Sequence, residues 1–323
     1  MVTNFQPSPI LKLRAAAPAG FVALRVYFVN GIPCKSKKRL NGKTVIVTGG
    51  NTGIGKVTVM ELSRRGAHVI LACRDTSKGQ AAIREIKATV PDADIVCMEL
   101  DLASLRSVRR FADQVLQNEP KVHILVNNAG VMFVPYQKTE DGYELQFAVN
   151  HLGHFLITSL LLDRIKESAP SRIINVSSHA HYIGYLDFND MMWTKRYNAQ
   201  LAYGRSKLAN VMFTRELATR LVGTNVTVCS LHPGTIHTEL TRYFFSGWMA
   251  ILKPLAYVAQ LMLTKTPWQG AQTTIHCAVA DEVEGVSGKY WDNCSVREPV
   301  YRARDDVACK KLWDYSAELL GLK

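Results

Sequence analysis

From Lys43 onward, short β-rich runs alternate with helical segments of roughly ten or more residues, and this alternation calls for a doubly wound parallel sheet. The strands read as TVIVTG (44–49), HVILAC (68–73), DIVCME (94–99), HILVNN (123–128), RIINVS (172–177), VTVCSL (226–231) and KYWD (289–292). Their continuous apolar character suits burial on both faces. Between them, stretches such as 53–65, 104–118, 141–166 and 203–222 carry apolar residues at three- and four-residue intervals, the period of a helix. The expected fold class is α/β, with a single Rossmann-type sheet of about seven strands in one domain over 41–323, preceded by an N-terminal arm over 1–40.

Apolar residues make up 47% of the chain and charged residues 20%, the mix of a folded globular protein. Seven scattered cysteines without CxxC spacing give neither a disulfide framework nor a zinc knuckle, so they read as reduced thiols in a reducing compartment. The net charge of +12 is unevenly placed, with no Asp or Glu before Glu61 and a cluster at Lys35, Lys37, Lys38 and Arg39. No basic module or aromatic stacking platform accompanies it, so nucleic acid is not an expected partner. The bias fits a membrane-facing or targeting segment better.

The run AAAPAGFVALRVYFVNGIPC, from Ala15 to Cys34, approaches the length of a bilayer span but is interrupted by Arg25, Asn30 and two prolines. Three readings fit it: a weak membrane anchor with the basic cluster on its cytosolic flank, a mitochondrial address, or an arm packed on the domain. Residues 240–265, LTRYFFSGWMAILKPLAYVAQLMLTK, are aromatic, Met-rich and apolar without strand alternation. They read as core helix or, given their place after a strand's C-terminal end, as an apolar helical lid over a hydrophobic small-molecule substrate.

Directly after the first strand, Thr48-Gly49-Gly50-Asn51-Thr52-Gly53-Ile54-Gly55 opens the helix 53–65. Glycines at such a junction let the backbone approach a pyrophosphate, while free amides and the helix dipole favour its charge. Where an NAD site usually places an acid after the second strand, this chain has Cys73-Arg74. Arg74 can pair with a 2'-phosphate, which points to NADP(H), although Asp75 could take the ribose instead. Asp101-Leu102 follows the third strand, at a position suited to the adenine pocket. Asn127-Asn128-Ala129-Gly130 ends the fourth, where small residues leave room for a cofactor.

Reducing a carbonyl requires a proton donor at its oxygen, and a tyrosine serves if its pKa falls from about 10 towards neutrality. In Tyr203-Gly204-Arg205-Ser206-Lys207 the i, i+4 spacing puts Tyr203 and Lys207 on one helix face. The cation is expected to lower the tyrosine's pKa. His151 with His154, and His179 with His181, lack convergent carboxylates or cysteines, so no metal site is expected. His179 and His181 are instead candidates to line the substrate cleft.

TGGNTGIG, NNAG, a Ser-Ser after the fifth strand, YGRSK and His232-Pro233-Gly234 occur in the order of the short-chain dehydrogenase/reductase family, which the chain resembles from Lys43 to about Asp292. The resemblance implies that Tyr203 is the acid/base and that Lys207 lowers its pKa and binds the nicotinamide ribose. It further implies that Ser178, the second of the pair with Ser177, orients the carbonyl and that Asn150 holds a relay water. Pro233, Gly234 and Thr238 match the turn that faces the nicotinamide carboxamide.

ACRD, VNHLGHFLIT, SRIINVSS, SKLANVMFTREL, LHPG and the insertion YIGYLDFNDMMWTKRYNAQLA look like the membrane-associated, NADP-preferring retinol dehydrogenases. The implied substrates are retinal and retinol, or related lipid aldehydes; the acid-free N-terminus is consistent with the endoplasmic reticulum, the mitochondrion or a lipid surface. Steroid or other lipid carbonyls are the alternative within the class. A non-catalytic dinucleotide sensor is the alternative outside it, and self-association into a homo-oligomer is compatible with either.

Overall fold

The computed structural model describes residues 31–236 and 264–322. Most of the N-terminal arm, Thr238 and nearly all of the apolar segment 240–265 therefore lie outside the described residues.

The parallel strands are β1 Thr44–Thr48, β2 His68–Cys73, β3 Ile95–Glu99, β4 Ile124–Asn127, β5 Ser171–Val176, β6 Val226–His232 and β7 Lys289–Asp292. The sheet order is β3-β2-β1-β4-β5-β6-β7-β8, where β8 Ser295–Arg297 runs antiparallel to β7. Among the described residues the sheet thus has eight strands rather than about seven. The extra strand is made by a tight turn in which Asn293 and Cys294 both adopt left-handed φ, +49° and +56°.

Helices cover both faces: α1 Gly53–Arg64, α2 Thr76–Thr89 and α6 Pro267–Val279 on one, and α3 Leu105–Asn118, α4 Leu145–Glu167, α5 Ala199–Arg220 and α7 Asp306–Leu319 on the other. β1 shows why the strand sequences lack alternation. Val45 and Val47 point into a core shared with Val59, Ile83 and Ile275, while Ile46 points into the opposite core with Phe111, Phe155 and Leu208. Each such side chain removed from water contributes about 1.5–3 kcal/mol.

Chain order reverses between β2-β1 and β4-β5, so the crevice at the C-terminal ends of β1 and β4 is the natural ligand site of this topology. Two helices differ from their expected bounds for reasons of capping. α4 starts at Leu145 because the Glu144 carboxylate accepts from the backbone N–H groups of Gln146 and Phe147. α5 starts at Ala199 because Asn198 accepts from Gln200 and Leu201 N–H.

α4 is long and apolar enough to cross a bilayer, but 78% of its most apolar window is buried inside the fold, so it is a core helix. It contains a π turn, Ala148–Leu152, a local widening often found at functional sites. The described end of the arm is tied down: Cys34 N–H donates to Gln272 Oε1 at 3.0 Å and Leu40 N–H to Arg65 O at 2.8 Å.

Candidate active site

The turn between β1 and α1 is shaped by two glycines in the left-handed region, Gly49 at φ +66° and Gly53 at φ +54°. A Cβ on Gly55 would overlap the carbonyl of Gly49, so the loop closes only with glycine there. Asn51, Thr52 and Ile54 complete the turn. Thr52 caps α1 without a side-chain hydrogen bond, and no acid lies in the first turn. The cradle is therefore rich in backbone N–H groups and free of negative charge, which fits a pyrophosphate.

The opposite wall is held by Thr48. Its buried hydroxyl accepts from Asn128 N–H at 2.9 Å and Ala129 N–H at 3.0 Å and lies 2.9 Å from His154 Nε2. His154 Nδ1 faces the Asn150 carbonyl at 3.1 Å, so Nδ1 carries the proton and Nε2 accepts from Thr48. Asn128 Nδ2 also donates to Thr48 O at 2.8 Å. Asn127, one residue earlier, bridges strands through Asn175 at 2.8 Å.

At the end of β2, Arg74 is exposed and has no partner among the described residues. Asp75 caps α2 by accepting from Lys78 N–H at 3.1 Å, and that bond holds its carboxyl below the usual range. Asp101 accepts from Ala103 N–H at 2.9 Å, while Leu102 is buried against Gly153. These residues, with Gly130 and the Pro233-Gly234 turn, could hold a dinucleotide along the C-terminal edge of the sheet. Gly234 adopts φ +94° against the Lys265 side chain.

Tyr203, Lys207, Ser178 and Asn150 come together at the centre of that edge. Ser177 is buried and donates to Lys207 O at 2.7 Å, so it serves the backbone. The next residue points the other way, as strand geometry requires, and Ser178 shares a side-chain hydrogen bond with Tyr203. Lys207 Nζ donates to Val176 O at 3.1 Å and lies 5.7 Å from the Tyr203 ring centroid. A Cβ on Gly130 would sit 3.0 Å from Asn150 Oδ1 and 3.5 Å from Lys207 Nζ, so glycine keeps this gap open.

Asn150 receives Val131 N–H at 2.8 Å on Oδ1, and its amide donates to Val131 O and to Ser206 Oγ, each at 2.9 Å. Both amide hydrogens are engaged by protein.

The electrostatics correct one expectation. Burial pushes Tyr203 up to about 12, opposed by its hydrogen bond to Ser178, and burial brings Lys207 down to about 8. The tyrosine is not lowered by Lys207 in this geometry, because the ammonium turns to Val176 O rather than to the phenol. Tyr203 therefore stands fully protonated at neutral pH.

Residues 43–247 match the short chain dehydrogenase family profile. The chain belongs to this family. Retinol dehydrogenase 12 of Bos taurus is 48% identical over 301 residues, 93% of each chain. Retinol dehydrogenase 13 of Homo sapiens is 49% identical over 312 residues, 94% of this chain and 92% of its own. Among solved structures, an uncharacterised protein of Mycobacterium paratuberculosis superposes with TM-score 0.72 at 35% identity, covering 90% of this chain and 98% of its own. RhlG of Pseudomonas aeruginosa, solved with NADP, gives TM-score 0.62 at 26% identity over 78% of this chain and 94% of its own.

This short-chain dehydrogenase is thus an alcohol-acting oxidoreductase using a nicotinamide dinucleotide. The histidines divide by burial. His151 and His154 are interior, and His181 is buried with Nδ1 on Ser178 O at 2.7 Å. His179 is largely exposed, stacks on His232 at 3.9 Å between centroids and lies 3.8 Å from Asp292. Among the described residues no three His, Cys, Asp or Glu side chains form a metal-binding group. The motif reading of the dehydrogenase missed Phe133, whose ring meets Tyr203 edge-on at 5.4 Å, and Arg205, buried two residues beyond that tyrosine. A charge inside an otherwise buried stretch of α5 was the available signal for Arg205.

Proposed function

We propose that the protein is an NADP(H)-dependent dehydrogenase that interconverts a hydrophobic alcohol and its aldehyde, with retinol and retinal the leading pair. The near-half identity to retinol dehydrogenases over more than nine-tenths of the chain carries this reading. The dinucleotide, when bound, supplies or accepts the hydride. In reduction, Ser178 donates to the carbonyl oxygen and fixes its position, and Tyr203 passes its phenolic proton to that oxygen. Lys207 supplies positive charge beside the resulting phenolate and a donor for the ribose hydroxyls. Asn150 acts by position, holding Val131 and Ser206 and thereby the floor next to Gly130. Assay of retinoids, steroids and aliphatic aldehydes with NADPH tests the substrate class, and activity confined to steroids would replace the retinoid reading.

The preference for NADP(H) rests on Arg74, free of described partners, beside an Asp75 already engaged as a helix cap. Losing a charged hydrogen bond costs about 1.5–3 kcal/mol, so Arg74→Ala should raise KM for NADPH roughly tenfold to hundredfold and leave KM for NADH nearly unchanged. A wild type that prefers NADH would contradict the role given to Arg74.

We also infer peripheral contact with an endoplasmic reticulum or mitochondrial membrane from the acid-free basic N-terminus and the lipid-like substrate. The full chain should float with anionic vesicles and float less on deletion of residues 1–30, which removes Lys12, Arg14, Arg25 and most of the apolar run. Equal flotation of both forms would refute an N-terminal contact.

A further inference from the structure

The insertion that separates Ser178 from Tyr203 has no helix or strand over 183–198, yet it is anchored from within the catalytic helix. Arg205 lies two residues after Tyr203 and so points away from the Tyr203–Lys207 face. It is 1% exposed and has no carboxylate at ion-pair distance among the described residues. Its Nε donates to Tyr185 O at 3.1 Å, and its Nη1 donates to Asp190 O at 2.6 Å and Met191 O at 2.9 Å. The guanidinium lies over the Trp193 ring at 4.2 Å. A buried charge persists only when its donors are satisfied, so the insertion's carbonyls and Arg205 require each other.

From that anchor the insertion reaches the other carriers of the site. Tyr197 donates its hydroxyl proton to Val134 O at 2.8 Å and accepts from Gln146 Nε2 at 2.8 Å. The same buried Gln146 amide donates to Ala199 O at 2.9 Å, while its Oε1 accepts from Phe133 N–H at 2.8 Å. Phe133 is held at φ +55°, a conformation that a bulky residue keeps only when its surroundings impose it. The consequence is the edge-on contact of its ring with Tyr203, at 5.4 Å and 79°.

We propose that residues 183–198, locked by Arg205, are a specificity element: through Tyr197 and Gln146 they hold Phe133 as the wall along which the apolar body of an extended substrate lies beside Tyr203. Tyr197, Gln146 and Arg205 are positioning residues, and Phe133 is the substrate contact. The proposal rests on the apolar-substrate reading above. A long apolar aldehyde gains contact along such a wall in proportion to its buried surface, whereas a short one presents little beyond its carbonyl.

The test compares kcat and KM for all-trans-retinal and for propanal, with NADPH, in the wild type, Tyr197→Phe, Phe133→Ala and Arg205→Met. Tyr197→Phe should lower the retinal-to-propanal ratio of kcat/KM at least fivefold, through KM for retinal, and Phe133→Ala should lower it further. Both should keep the NADPH-induced thermal shift, which monitors an intact dinucleotide site. Should Arg205→Met not fold, Tyr197→Phe and Phe133→Ala still decide the matter. An unchanged ratio in both, or equal losses on the two substrates, overturns the proposal while leaving the apolar-substrate reading intact. A wild type that reduces neither aldehyde overturns both.

Discussion

Replacing Tyr203 with phenylalanine should lower kcat roughly 10²- to 10⁴-fold, the scale of losing a positioned general acid, while the NADPH-induced thermal shift is retained. The substitution removes one oxygen from a buried ring and leaves the edge contact with Phe133 in place, so the fold should persist. The phenol is the group that can load a proton onto a carbonyl held by Ser178, because burial keeps it protonated and Ser178 bonds to it directly. Near-normal turnover in Tyr203→Phe would remove this tyrosine from the mechanism.

Acid should destabilise the protein steeply between pH 6.5 and 5, because burial depresses several histidines, among them His123, His232 and the two interior residues His151 and His154. Burial holds His151 and His154 each down to about 3. In the unfolded chain both titrate near 6.5, so below that pH the unfolded state binds protons that the folded state refuses. Stability is therefore lost as pH falls from 6.5 towards 3, by about 1.4 kcal/mol per pH unit for each histidine once the pH is well below 6.5. Against a total of about 5–15 kcal/mol this is a large share.

His154 carries the further consequence that its protonated ring could no longer accept from Thr48, whose hydroxyl holds Asn128 and Ala129 beside the cofactor cradle. His151 sits among the rings of Phe147, Phe155 and Phe213, so His151→Phe fills the same space without a titrating group. Urea midpoints measured at pH 7, 6 and 5 should fall for the wild type, and the fall should be shallower in His151→Phe. A wild type equally stable at pH 7 and 5 would contradict the account.

Strands such as β1 are legible because burial on both faces forces a continuous apolar run. β8 is not, because its turn uses Asn293 and Cys294 rather than a glycine pair in left-handed φ. In the site, motif order singled out Tyr203, Lys207, Ser178 and Asn150, and the structure brings the four together. Spacing says that Lys207 lies near Tyr203, but not that its ammonium donates to Val176 O or that burial raises the phenol. Phe133, Gln146 and Tyr197 were illegible for a related reason: their roles depend on hydrogen bonds between segments far apart in sequence, which periodicity does not encode.

The most direct test of the account is product analysis of all-trans-retinal incubated with NADPH and the purified full chain, wild type beside Tyr203→Phe. The account predicts retinol formed in step with NADPH consumed by the wild type, and almost none by the variant. A wild type that binds NADPH but forms no alcohol from retinal or from any other carbonyl offered would contradict it, leaving a dinucleotide-binding protein without turnover.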